Sequence, residues 1–442
     1  MRGETLRVTP LRLKKSHTLY RRALKTVPLA SQTFSKSATN FVQGASPLFL
    51  GRGRGAEVWD VDGNRYIDYV LGLLPIVLGY QDPDVDAAVR AQLSRGITFS
   101  LATELEAELA ERLVRLIPCA EMVRFGKNGS DATTAAVRLA RAYTGRDRIA
   151  VCGYHGWHDW YIGTTSRQLG VPEAVRALTS TFRYNDADSL HRLLADEPDG
   201  FAAIVVEPAG GEEPRDGFLE ALRELASRHG AVLVFDEIVT GFRVDLGGAQ
   251  KRYGVTPDLA CFGKAMGNGM PISALVGTAE IMRWMEHIFF STTFGGEALS
   301  LAAAIATLDK LEAVDAPRRI GTIGSRLKSA VHGIVHEAGL STRFRIDGPD
   351  WRPIVRSVDR EPVLAASLLR QELIAHGLLM GGAFNLCLSH EDDALLGETT
   401  SAWRRAAAAV ADAFASNDPA ARLRGKPIQP VFQVRPGGST QR

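Results

Sequence analysis

The sequence predicts an α/β fold, a mostly parallel sheet covered by helices with a smaller α+β domain. Three observations carry this. Short apolar runs alternate with an amphipathic helical pattern between Phe201 and Phe262; a glycine-bearing turn, Gly126 to Asp131, separates a strand pattern from a helix pattern; and Glu207, Asp236 and Lys264 each fall at or just past the end of an apolar run. Alternating strands and helices bury both faces of a sheet, which selects parallel strands. Such sheets bind ligands beyond the carboxyl ends of their strands, so three ionisable side chains are expected to converge on one crevice.

The elements follow in order. Glu57 to Val70 alternates in polarity around the turn dipeptide Asp62-Gly63, which predicts two short antiparallel strands. Between Thr103 and Gly145 two helical patterns flank the strand-like Met122 to Phe125, the second helix running from about Asp131 to Gly145. An apolar strand, Ala203 to Glu207, leads to a helix with Phe218, Leu219, Leu222, Leu225 and Ala226 on one face, ended by Gly230. Strands Ala231 to Asp236 and Leu259 to Phe262 follow. An Ala- and Leu-rich helix runs from Ser300 to about Glu312, and the remainder to Ser416 is mixed. The expected organisation is an N-terminal helix and hairpin segment (1–75) that packs with the small domain, a large domain (76–312), a small domain (313–416) and a loosely held tail (417–442).

A chain of 442 residues is two or three domains at about 100 to 200 residues each, or one large α/β unit with an appendage. Apolar residues at 45% and charged residues at 23% are those of an ordinary globular protein. Lys plus Arg number 52 against 50 for Asp plus Glu, a net +2 that gives no reason to sit on nucleic acid or a membrane surface. Cys119, Cys152, Cys261 and Cys387 form no CxxC pair, so neither a disulfide framework nor a cysteine zinc site is read, and a reducing cytoplasm is the simpler setting. No apolar run spans a bilayer and no signal peptide follows the basic N-terminus. Residues 2–25 carry eight Lys or Arg against Glu4; an Arg-rich helical lead-in is preferred over an organellar transit sequence.

The chemistry lies in three places. Gly126-Lys127-Asn128-Gly129-Ser130-Asp131 turns from a strand into a helix and presents backbone N–H groups and a hydroxyl, a phosphate cradle or an ordinary capped helix. Asp236 ends a buried strand, where a carboxylate is costly unless paired; a protonated ring nitrogen, a helix cap or a salt bridge would each serve. Lys264 follows an apolar strand, where desolvation makes an amine nucleophilic; taken singly, a surface lysine in a loop is the alternative reading. Together they supply what pyridoxal 5'-phosphate (PLP) needs: phosphate cradle, pyridinium partner and Schiff-base amine.

With these residues in hand, the chain resembles the class III aminotransferases of PLP fold type I, especially their glutamate-1-semialdehyde aminomutase-like branch, over roughly Ser16 to Ser416. Asn128-Gly129-Ser130-Asp131-Ala132, Tyr154-His155-Gly156, Val206-Glu207-Pro208, Asp236-Glu237-Ile238-Val239-Thr240-Gly241-Phe242-Arg243, Phe262-Gly263-Lys264 and Thr292-Thr293-Phe294-Gly295-Gly296 occur in the family's order. The resemblance implies that Lys264 holds PLP as a Schiff base and Asp236 keeps its ring nitrogen protonated. It further implies that Tyr154 stacks on one ring face, Ile238 packs on the other, and Gly129 and Ser130 bind the phosphate. Thr293 matches a residue that reaches the neighbouring chain's phosphate, which implies a homodimer with shared sites.

The sequence also departs from that family. Where glutamate-using aminotransferases have a small-domain Arg and the aminomutases read Phe-Glu-Ala-Gly-Phe, this chain reads Phe384-Asn385-Leu386-Cys387-Leu388. Glu207 is then left to face substrate, or is satisfied by backbone or Arg243, and Glu297 stands where the family usually has Asn. Two carboxylates at the mouth, with Asn385 nearby, favour a cationic amine. The expected function is amino transfer on an amine- or carbonyl-bearing small molecule, an amino sugar or aminoglycoside-type intermediate of the kind met in antibiotic biosynthesis. A PLP-dependent dehydratase, epimerase or aminomutase is the alternative. A mobile lid is expected between Gly156 and Pro172. Gly51-Arg52-Gly53-Arg54-Gly55 reads as a turn rather than a dinucleotide loop, and His155-x-x-His158-Asp159 lacks a third ligand, so no metal site is expected.

Overall fold

The computed structural model describes residues 11–197 and 199–429. Strands β1 (Leu50–Arg54), β2 (Glu57–Asp60) and β3 (Arg65–Asp68) form an antiparallel meander. Asp60 fixes the β2–β3 turn by accepting the Asp62 and Asn64 N–H groups at 3.0 and 2.8 Å, and Gly63 takes the left-handed φ of +90° that the turn requires. The Gly51–Gly55 run, expected as a turn, is strand β1. Its glycines hide the alternation that marks a strand, and Gly53 is required because a Cβ there would lie 2.6 Å from the Tyr80 ring.

The large sheet contains β4 (Met122–Gly126), β5 (Arg148–Cys152), β6 (Thr179–Thr181), β7 (Phe201–Val206), β8 (Val232–Asp236), β9 (Leu259–Phe262) and β10 (Ser273–Gly277), in the order β4-β10-β9-β8-β7-β5-β6. Only β10 runs antiparallel to its neighbours. Every residue of β7, β8 and β9 is buried, which is why these strands read as continuous apolar runs rather than alternating ones. The helix Phe218–Arg228 buries the five residues named from its periodicity. Gly145, with φ +68°, ends the helix Gly129–Thr144, and at the start of the helix Glu104–Leu116 the Glu106 carboxylate accepts the Thr103 N–H at 3.1 Å.

Strands β11 (Phe344–Asp347) and β12 (Ile354–Ser357) form a hairpin, and β13 (Leu378–Leu379) adds to β3 in parallel. The described residues divide into two compact units, the first comprising 11–74, 78–82 and 319–429, the second 75–77, 83–197 and 199–318. The described part of the segment expected as a loose tail is tied into the first unit. Ile428 N donates to Ser367 Oγ at 3.1 Å and Gln429 N to Thr39 O at 2.8 Å, while Asp418 caps the short helix Pro419–Arg422. Its remainder, and the basic residues 1–10, lie outside the described residues. No described helix is long and apolar enough to cross a membrane.

Candidate active site

Strands β7, β8 and β9 are parallel neighbours, with Val206 opposite Phe235 and Asp236 opposite Cys261. Parallel neighbours about 4.8 Å apart end on the same edge, so Glu207, Asp236 and Lys264 emerge side by side. Strand β5 joins them, its Cys152 opposite Val206, and the chain leaves it as Gly153-Tyr154-His155. The convergence read from the sequence is therefore a consequence of strand register.

Asp236 is 4% exposed, and both of its oxygens are met: Ile238 N donates to Oδ1 at 3.1 Å, and His155 Nδ1 lies 2.8 Å from Oδ2. His155 is buried too, with Nε2 at 3.1 Å from the Cys152 carbonyl. A carbonyl only accepts, so Nε2 carries a hydrogen, and the Nδ1–Oδ2 contact needs a second proton between its atoms. A charge-assisted bond thus steadies Asp236 in the core, while each carboxylate oxygen keeps a lone pair for a further donor. His155 was weighed in sequence only as a metal ligand; its role as the partner of Asp236 was missed, since no local pattern joins residues 81 positions apart. His158 instead meets Thr134 Oγ1 at 2.6 Å through Nδ1, and no group of three metal-ligating side chains occurs among the described residues.

Glu207 folds back over Gly153. Its Oε2 accepts the Tyr154 N–H at 2.9 Å, and a Cβ at Gly153, whose φ is +115°, would lie 2.7 Å from that oxygen. Of the alternatives read in sequence, the backbone contact is present. Burial first, then the charge of Asp236, raises the Glu207 carboxyl above the usual range, with His155, the Tyr154 N–H and Lys264 opposing. Tyr154, which follows β5 at the same edge, is 45% exposed and meets Tyr161 edge-on at 5.6 Å.

The turn after β4 is organised by Asp131, whose Oδ2 accepts the N–H groups of Lys127 and Asn128 at 3.0 and 2.7 Å. The next N–H groups, those of Gly129 and Ser130, open the 16-residue helix Gly129–Thr144 and have no helical acceptor, as at any helix start. Ser130 Oγ faces Gly156, where a Cβ would come within 2.2 Å of it. Ile238 lies against both loops: a Cβ at Gly129 or at Gly263 would be 3.1 Å from its side chain. Ile238 therefore spans the distance between the Gly129–Ser130 turn and the residue preceding Lys264. Lys264 itself opens a short 3-10 helix with φ +37°, a left-handed value that a non-glycine residue adopts only when its surroundings hold it there.

The remaining expected residues are placed differently. Glu297 is engaged rather than open to substrate: it pairs with Lys127 at 2.9 Å, caps the helix Ala298–Ala313 through Leu299 N at 2.7 Å, and accepts Ser300 Oγ at 2.6 Å. Burial opposes its charge, yet Ser300 and the Lys127 ammonium hold the carboxyl below its ordinary range. Asn385 belongs to the first unit, its Nδ2 donating to Val70 O at 3.0 Å and its Oδ1 accepting Arg352 Nε at 3.1 Å. Thr293 is on an exposed turn and makes no hydrogen bond to the Gly129–Ser130 turn.

The edge suits PLP on grounds visible in this chain: unpaired helix-start N–H groups and a hydroxyl for a phosphate, a hydrogen-bonded buried acid with lone pairs to spare for a ring N–H, a partly exposed aromatic ring after β5, and an amine at the neighbouring strand end. Comparison with known proteins agrees. Residues 40–348 match the family model "Aminotransferase class-III". The chain is 40% identical over 398 residues to the 3-aminobutyryl-CoA aminotransferase of Cloacimonas acidaminovorans, covering 87% of this chain and 95% of that protein. It is 39% identical over 413 residues to the glutamate-1-semialdehyde 2,1-aminomutase of Roseiflexus castenholzii, covering 86% and 92%. The solved PLP form of the Sphingopyxis sp. MTA144 FumI protein superposes with a TM-score of 0.86 at 30% identity, covering 93% of this chain and 100% of that one. With sheet order, strand-end residues and these likenesses in agreement, the chain belongs to the class III aminotransferases, PLP-dependent enzymes of fold type I.

Proposed function

We propose that this enzyme moves an amino group between two molecules, and that its amine substrate carries no free carboxylate beside the amino group. The observation that carries the reading is Glu207: its carboxylate stands beside Asp236 and Lys264 and is held by a backbone N–H rather than by an ion pair. A substrate carboxylate approaching that acid is repelled and a cationic amine is attracted. The relative named for 3-aminobutyryl-CoA, a β-amino acyl thioester, fits such chemistry, and an amino sugar fits it too. The amino-sugar reading now rests on Glu207 alone, because Glu297 is engaged by Lys127.

When bound, PLP supplies an electron sink for charge at the substrate carbon. Lys264 Nζ holds the cofactor at rest and carries a proton to and from that carbon. Asp236, steadied by His155 and the Ile238 N–H, holds a proton on the ring nitrogen. Gly129 and Ser130 would hold the phosphate, and Tyr154 would lie against the ring. Thr293 is proposed to complete the phosphate site of a second copy.

A second reading, intramolecular amino migration, is favoured by the relatives named as aminomutases. A single-turnover assay separates the two. With a β-amino acyl thioester or an amino sugar and no acceptor, the proposal predicts one carbonyl product released per site and then arrest. Continued isomerisation without an acceptor, or faster release from glutamate, contradicts it.

A further inference from the structure

We propose that the first unit binds an amphipathic carboxylate, an alkyl or aryl acid, in a cavity of about 400 Å³ built between its N-terminal segment and its sheet. The volume is in the range of small-molecule sites, about 300 to 1,000 Å³. Its wall is apolar, formed by Phe41, Leu48, Phe49, Leu50 and Val70 with Leu379 of β13. Apolar surface of this extent left beside the packed cluster of Phe41, Val58, Tyr66, Ile374 and Leu379 is what an apolar ligand body would cover.

The charge on the lining decides the ligand's class. Two charged side chains line the cavity, Asp68 and Lys36. Asp68 is spoken for: its Oδ1 accepts the Val70 and Leu71 N–H groups at 2.7 and 3.1 Å, and its Oδ2 accepts the Tyr80 hydroxyl at 2.7 Å. Burial raises its carboxyl above the ordinary range, with those bonds and Lys36 opposing. Lys36 is exposed at the end of the short helix Phe34–Lys36, and no carboxylate lies within ion-pair distance of it among the described residues. The hydroxyl of Ser35, on the same lining, donates to no acceptor among the described residues. An ammonium and a hydroxyl on the lining of an otherwise largely apolar cavity match a ligand with an anionic head and an apolar body. None of these lining residues belongs to the catalytic set.

The test uses the PLP-loaded full chain and calorimetric titration with decanoate, decan-1-ol and decylamine. Saturable decanoate binding, about fivefold or more tighter than that of decylamine, is expected; Lys36→Glu should erase the preference, and Leu48→Trp, which fills the cavity from a half-buried wall position, should abolish binding. Both variants should keep the cofactor's visible absorbance and the wild-type melting temperature, which shows that they fold. No saturable binding by wild type, equal affinity for acid and amine, or unchanged binding in Leu48→Trp overturns the proposal. Decanoate that competes with the amine substrate would also overturn it, because binding would then belong to the catalytic site.

Discussion

At the scale of single residues, the His155–Asp236 contact carries the largest consequence. His155 is buried with its ring against Asp236, and in the function proposed above it would act through Asp236 as a positioning residue. Changing His155→Gln should lower kcat about ten- to a hundredfold, the range found for partners one step behind a reacting group, with PLP still bound. A mere structural role would instead lower melting temperature and leave the pH profile of kcat in place, so that profile, measured on both proteins, decides the matter. A different histidine governs acid stability. His390 is fully buried, stacked on Tyr69 at 4.5 Å, and burial pushes its pKa down to about 3. The folded state keeps it neutral while the unfolded state takes up a proton below about 6.5. Stability is therefore lost as pH falls from 6.5 towards 3, by about 2 kcal/mol at pH 5. Urea unfolding at pH 7 and pH 5 should show that loss in wild type and a smaller one in His390→Gln; equal losses would show that His390 is not its source.

Among the elements, the loops at the strand ends set the geometry through glycines. Gly156 combines φ +105° with a Cβ position 2.2 Å from Ser130 Oγ. Gly156→Ala should push the Ser130 hydroxyl out of the phosphate site and weaken PLP affinity about tenfold, read by equilibrium dialysis, since a charge-assisted bond is worth about that much; unchanged affinity would remove Ser130 from the phosphate site. These loops also show what could be read from residues alone. The apolar runs of β7, β8 and β9 marked buried strands because nothing polar interrupts them, and their ends named Glu207, Asp236 and Lys264. The helix Phe218–Arg228 was read because its buried face repeats at helical spacing. Strand β1 was missed because glycines at Gly51 and Gly53 carry no side chain to alternate. The pairing of Glu297 could not be read because its partner, Lys127, is 170 positions away, and spacing in a chain says nothing of such a pair. Glu237 illustrates the same limit: the motif places it beside Asp236, yet it turns inward to accept the Ala249 and Gln250 N–H groups at 2.8 and 3.0 Å, anchoring the loop that follows β8.

For the whole molecule, the second copy proposed to share the phosphate site would have exposed apolar side chains to cover. Leu101 and Phe289 are 85% and 81% exposed, Phe294 follows Thr293, and Ala298 N donates to Ile97 O at 2.8 Å, which joins the 97–101 segment to the Thr293 turn. Apolar side chains so arranged are costly in water unless covered. Light scattering is expected to give a dimer, and Phe289→Asp a monomer with lost activity; a fully active monomer would remove Thr293 from the site. The proposed chemistry requires the amine that follows β9, on Lys264, to hold the cofactor opposite Asp236. Borohydride reduction of the PLP-loaded enzyme followed by peptide mapping tests it most directly. One pyridoxyl group per chain on Lys264, absent in Lys264→Ala, is predicted; a group on another lysine, or none on a chain that holds PLP, would contradict it.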